Sequence, residues 1–507
     1  MGFKAMRARS IPVFLFVFAA SCVAPALLSA QAGDQNESFA ANFHDDLVQE
    51  GVNLGDCKHG NMAGVSGCAE TLFTGTPFHI AVGSLAPQNG VGFGLAAAEF
   101  YYPTYCASWI DFTKPPAAGT RNACHWSLNF NAEGLATSNQ SWRAGFYMSA
   151  VHLSTRRPQV HHPGEPEPKH PVRNFTGPST TVNLYSETNS LNRIYFYGVG
   201  PDTTPAGRAD FGLTENVTGV NLILPARAWW IDAAGISLLG EVNGRFPSQR
   251  GSYGDTSPSI ERIYNNTSAP GLSANSNYFQ AGEGIRLSPV ISLKKLNLER
   301  LELNYLTQFQ QYVAGGASYE SFRRFNTDLN HTLVLYTRNV GKPAASRPPV
   351  PGAPIVPPIS PTRDVTGSIT ARLFIQESVA DSGHIVPFFF QPTIGGSDLN
   401  GQAVLSSYPD YRFRGPDLLW IHGAYEQSLG KFPVGLFLGL DEAKVGLRRD
   451  DISFDHLRHS YSAGFTLHAG GLPAVYVLFC WGGNEGNHTI ANINTSLLGN
   501  SVRPSLF

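Results

Sequence analysis

Beyond its first thirty residues the chain has no apolar run of the ~20 residues that a membrane-spanning helix needs. Charge is also scarce. Asp, Glu, Lys and Arg make up 15% of 507 residues, where soluble domains carry about 25%. Neither sign dominates, with 36 basic and 38 acidic residues, so no nucleic-acid or polyanionic partner is expected. Cysteine is limited to six, and no spacing among them has the form of a metal site. No Gly-x-Ser-x-Gly elbow occurs, and His161, His162 and His170 stand in a Pro-rich connection without a neighbouring Ser or Asp motif. A solvated loop is the favoured reading of those histidines over a metal site. No catalytic residue, cofactor or metal is therefore expected, and the chain is read as a non-enzyme.

What is abundant points elsewhere. There are 52 glycines and 32 phenylalanines, and low charge with much Gly and aromatic content suits a membrane β-barrel. Residues 1–30 have the form of a cleaved export signal: Lys4, Arg7 and Arg9 precede an apolar core, Ile11–Ala20, and small residues near Ser29-Ala30 fit a cleavage site. Cys22 faintly resembles a lipobox cysteine, but the apolar run continues past it to Leu28. An exported chain without a spanning helix can enter a membrane only as a closed barrel. In an oxidising compartment Cys57–Cys68 and Cys106–Cys124 are the natural local disulfide pairs, with Cys480 left free.

Residues 31–73 are polar and irregular, a short N-terminal periplasmic segment or plug, and residues 74–507 form one barrel. The pattern is clearest late in the chain. Val434, Leu436, Leu438 and Leu440 alternate with Gly435, Phe437, Gly439 and Asp441; Tyr461, Phe465 and Leu467 alternate with Ser460, Ser462, Gly464 and Thr466. Strand side chains point to opposite faces in turn. Such strands can build a soluble sandwich, or a barrel with its apolar phase toward lipid; the glycines on the polar phase favour the barrel. The expected fold is all-β, a transmembrane antiparallel β-barrel of sixteen strands. Segments 385–394 and 228–243 are counted as strands, and 179–198 is held back as a hairpin that would raise the total to eighteen. An even count puts both ends in the periplasm, and places the loop 395–417 and the Pro-rich stretch 342–361 on the extracellular side.

Within that loop lies Arg412-Phe413-Arg414-Gly415. A guanidinium folded into a barrel needs partners, and Glu426 and Asp441 sit in the inward phase of the next two strands. Gly415 would let the backbone turn at the tip. The plainer reading is that Arg412 and Arg414 are solvated loop charges.

The order Val386–Gly396 with its Gly395-Gly396 end, then Tyr411–Gly415, then Tyr425-Glu426, then Asp441, resembles the BamA/TamA outer-membrane superfamily, the bacterial surface antigen type of barrel. The resemblance is strongest over residues 385–500. It implies that Arg414 is a lumen-loop arginine held by Glu426 and Asp441, with Phe413 and Gly415 shaping the tip, so that Arg414→Ala should loosen the barrel. Residues 33–73 are too short for even one of the periplasmic POTRA modules that usually precede such barrels. The chain looks like a member without them. The resemblance implies localisation in the outer membrane of a Gram-negative-type bacterium, contact with its lipids, and help in inserting or translocating client outer-membrane proteins or lipids. The alternative is a passive channel or structural barrel.

Overall fold

The computed structural model describes residues 39–55, 72–73, 77–101, 126–152, 179–226, 235–252, 257–274, 276–339, 363–429, 434–469, 472–493 and 503–506. Its strands are β1 (Phe78–Ser84), β2 (Val91–Tyr101), β3 (Trp126–Thr137), β4 (Trp142–His152), β5 (Thr181–Phe196), β6 (Ala209–Pro225) and β7 (Ile236–Gly251). They continue as β8 (Tyr278–Leu287, resumed at Val290–Ser292), β9 (Arg300–Ala314), β10 (Phe322–Asn339), β11 (Arg363–Val379) and β12 (Asp417–Ser428). The last four are β13 (Val434–Gly446), β14 (Arg458–Ala469), β15 (Leu472–Trp481) and β16 (His488–Ile493). The two parts of β8 are one strand: Leu287 faces Tyr305 and Val290 faces Glu302 in the same register, with Pro289 as the interruption. Sixteen strands thus pair antiparallel with their sequence neighbours, from β1–β2 through to β15–β16.

Side-chain period two decides which way each residue faces, and the result is inverted relative to a soluble protein. Outward residues are apolar and bare, such as Leu95 (70% exposed), Phe93 (64%) and Phe465 (57%). Inward residues are polar and covered, such as Asn221 and Gln310 (1% each), Glu241 (3%) and Asp441 (4%). An apolar outer band around a polar interior is the surface of a transmembrane barrel. The sheet curls into a ring, because residues near its two edges, Ser84–Gln88 and His488–Ala491, line one interior cavity.

The count of sixteen agrees with the sequence expectation through two departures that cancel. Residues 181–196 are one long strand, bent by a register shift between Leu191 and Ile194, and not a hairpin. Residues 385–394 do not cross the membrane. Pro387 and Pro392 break the run, a single 3-10 turn spans Phe388–Phe390, and the segment lies inside the barrel. Strand β7 is also displaced from 228–243 and runs through Pro247 to Gly251. One consequence is a correction of sidedness. Asn339 and Arg363, which flank the Pro-rich stretch, lie at the end of the barrel opposite to the β11–β12 connection, so the two loops do not share a face.

Helix α1 (Phe39–Gly55) packs at the foot of the first hairpin. The phenyl ring of Phe43 meets Phe78 edge-on at 6.0 Å, and Glu50 Oε2 accepts the Phe78 backbone N–H at 3.1 Å. Ala98 N–H bonds to Pro77 O, so alternate residues of β1 turn their donors toward β2, and Phe78 turns its own toward the edge of β1 away from β2. Glu50 therefore caps that edge. Cys57, Cys68, Cys106, Cys124, the export signal and the three histidines lie outside the described residues.

Candidate functional site: a lumen plug and its arginines

The β11–β12 connection, residues 380–416, enters the lumen and fills one end of it. Its Phe388, Phe389 and Phe390 pack with Phe196 and Phe211 of β5 and β6, Tyr278 of β8, Tyr312 of β9 and Phe322 of β10, all buried. Aromatic rings on five strands thus close around three consecutive phenylalanines, a core where a channel would have water. The connection folds back on itself through a short ladder, Thr393 opposite Arg414 and Ile394 opposite Phe413. Gly200, from the β5–β6 connection, extends that ladder by donating to Arg414 O at 2.7 Å.

Gly395 and Gly396 make the return possible. Both have positive φ, 101° and 58°, and a Cβ on Gly395 would stand 2.4 Å from the Arg412 Cβ. Tyr411 also holds φ 59°, a strained value for a residue with a side chain. The turn is therefore made at Gly395-Gly396 and Tyr411, and not at Gly415 as the sequence suggests. Gly415 matters for closeness instead: a Cβ there would lie 2.7 Å from the Gly446 carbonyl oxygen at the end of β13.

The two arginines are both 1% exposed and are treated very differently. Arg412 donates through Nε and Nη2 to the two carboxylate oxygens of Glu485, at 2.6 and 2.7 Å, and through Nη1 and Nη2 to Thr203 Oγ1 and O, at 2.8 and 2.6 Å. Phe413 lies between its guanidinium (4.4 Å to the ring centre) and that of Arg458 (4.1 Å), with Tyr408 edge-on. Arg414 donates through Nη1 to the carbonyls of Phe388 (2.7 Å) and Gln391 (3.4 Å) and stands over Phe196, Phe211 and Phe388. Its Nε and Nη2 find no acceptor among the described residues. Burial pulls its guanidinium down to about 10.

The expected lock is thus relocated. Glu426 accepts from Thr466 Oγ1 at 2.7 Å. Asp441 Oδ1 accepts from Trp420 Nε1 at 2.9 Å and meets His422 Nδ1 at 2.8 Å. Both acids face inward as their phase requires, but they brace the barrel wall, and the arginine with a carboxylate is Arg412. Sequence reasoning missed Glu485 and Thr203. Glu485 stands in the Gly-rich turn Gly482–Gly486 between β15 and β16, and its local pattern signals a turn without signalling a partner.

Further contacts fix the rest of the plug. Asp410 accepts from Gln88 Nε2 (2.7 Å) in the β1–β2 turn, and Tyr411 OH donates to Pro87 O (3.2 Å). Ser407 N–H donates to Ser460 Oγ of β14 at 2.9 Å. Asp398 Oδ1 takes the backbone N–H groups of Asn400 and Gln402, while burial pushes its carboxyl up to about 6. Below the plug a cavity of about 780 Å³ remains, lined by Arg143, Glu187, Asp410, His488 and Arg503 among others.

Fold and site together define a sixteen-stranded transmembrane β-barrel whose lumen is stoppered by its own β11–β12 connection. Among solved structures the chain is similar to BamA from Haemophilus ducreyi lacking POTRA domains 1–3, at 11% identity and a TM-score of 0.42, over 83% of this chain and 68% of that one. It is also similar to CdiB from Acinetobacter baumannii, at 9% identity and a TM-score of 0.41, over 82% of this chain and 57% of that one. No family profile and no curated protein matches the sequence.

Proposed function

We propose that the chain is a non-enzymatic outer-membrane barrel of the BamA/TamA type that assists the insertion or translocation of outer-membrane proteins or lipids. The observation that carries this reading is where the plug is fastened. Arg412 ties it to Glu485 in the turn that leads into β16, and Asp410 ties it to Gln88 in the turn that leaves β1. The stopper thus grips both sides of the junction between the first and last strands. A pore protein has no need of such a brace, whereas a barrel that works at the edge between its first and last strands does. The partners on this reading are outer-membrane lipids and client barrels or lipids, and the plug enters from the extracellular end.

Depletion of the chain in its native cell tests the proposal. Other outer-membrane barrel proteins should fall in abundance, or phospholipid should appear in the outer leaflet. Unchanged protein levels together with unchanged lipid asymmetry would sink it and leave the passive barrel.

A further inference from the structure

The plug fills only one end of the lumen, and the other end is occupied by a separate segment, Arg503–Leu506. Pro504 O accepts from Asn221 Nδ2 of β6. Ser505 Oγ donates to Glu241 Oε1 of β7 at 3.1 Å, and Leu506 N–H donates to Glu241 Oε2 at 2.7 Å. Leu506 O accepts from Gln308 Nε2 of β9 at 2.9 Å. Arg503 Nη1 lies 3.5 Å from Glu187 Oε1, with its guanidinium 6.0 Å from the centre of the Tyr185 ring on β5. The wall thus reads main-chain donors and acceptors as well as one basic side chain.

Two features mark this as a built site. The receiving groups are buried although they face a lumen, with Asn221 at 1%, Glu241 at 3% and Gln308 at 5% exposure. Glu241 is organised in advance: Tyr185 OH and Asn243 Nδ2 also donate to it. A covered carboxylate is costly unless its oxygens are satisfied, and the segment supplies two of the four donors that satisfy this one.

We propose that the inner wall from β5 to β9 is a binding site for an extended basic peptide, filled in the resting barrel by residues 503–506. This segment lies toward the end of the lumen opposite the plug, with the cavity between the two. Arg503 and Ser505 line that cavity from one side and Ser397 and Asp410 from the other. A second peptide of the same chemistry would take the site only by displacing residues 503–506.

The test is binding of a fluorescent peptide with the sequence of residues 503–506 to the folded full chain and to a variant lacking residues 503–507. With its site empty, the variant should bind the peptide about tenfold or more tightly than the full chain, whose tethered segment competes at high effective concentration. The same peptide with Arg503→Glu should not compete. A variant that keeps heat-modifiable mobility and binds no peptide, or binds both peptides alike, would overturn the proposal. If the deletion does not fold, Ser505→Cys in the full chain reports instead: Glu241→Gln should raise maleimide reactivity at position 505 several-fold, and no change there overturns the proposal equally. Peptide binding bears on this site alone, and depletion of client proteins bears on the proposed function alone, so one can fail without the other.

Discussion

Arg412→Met and Glu485→Gln test the relocated lock most directly. The guanidinium is 1% exposed and its carboxylate partner 16%, so the pair is close to fully buried. Removing one member of a buried pair typically costs about 3–5 kcal/mol, most of it from stranding the other charge. The two variants should differ for that reason. Arg412→Met strands Glu485, which is partly wet in its turn and recovers some hydration, so the cost belongs near about 3 kcal/mol. Glu485→Gln leaves a buried guanidinium with no counter-charge, held by Thr203, the rings of Tyr197 and Phe413 and one amide oxygen, and the cost moves toward about 4–5 kcal/mol. The double variant strands neither charge and should be less damaging than the sum of the singles, as coupled neighbours are. Arg414→Met supplies the internal comparison. That arginine has no carboxylate, so trading it for an apolar side chain of similar length should fall within about 1 kcal/mol of neutral, or stabilise. The assay is urea unfolding of the barrel in lipid vesicles, followed by heat-modifiable gel mobility. If Arg414→Met proved as harmful as Arg412→Met, or the Arg412 and Glu485 effects simply added, the reasoning would be refuted.

Gly395→Ala should cost about 1–3 kcal/mol, since it combines φ 101° with a Cβ 2.4 Å from Arg412, and it should expose residues 395–412 to protease while the strands stay protected. Asp398 has its carboxyl raised to about 6, so the neutral acid suits the folded loop and stability declines as pH rises through about 6. Asp398→Asn keeps the acceptor for Asn400 and Gln402 without the charge; it should slow proteolysis of the loop at pH 7 and match the parent only below about pH 4. Cys480 is fully buried and unpaired, so a maleimide should label it in unfolded protein and leave it untouched in the folded barrel. Labelling at equal rates in both states would contradict the inward placement of Cys480.

How far the sequence carries can be judged from particular elements. Val434–Asp441 and Ser460–Leu467 were legible in both strand and phase, because alternation with glycine and serine on one side leaves no other regular structure. Residues 181–196 were obscured by a polar middle, Ser186–Ser190, and by the bulge that follows it. Phe388–Phe390 misled in the opposite direction. Three phenylalanines suit a strand, and only the flanking prolines hinted that they serve a core inside the lumen.

By itself the sequence determined which residues face in and which face out. The side-chain period of a strand is a local property, so the sequence alone assigns Glu426 and Asp441 to the lumen. The tertiary structure alone decided who meets whom inside. Arg412 reaches Glu485 across 73 residues and Thr203 across 209, and only the curling of sixteen strands into a ring brings those three to one point. Neither partner lies on a strand, so phase says nothing about them. The same holds for Arg503–Leu506, whose four residues carry no pattern and gain their meaning only from Glu241, Asn221 and Gln308 on three separate strands.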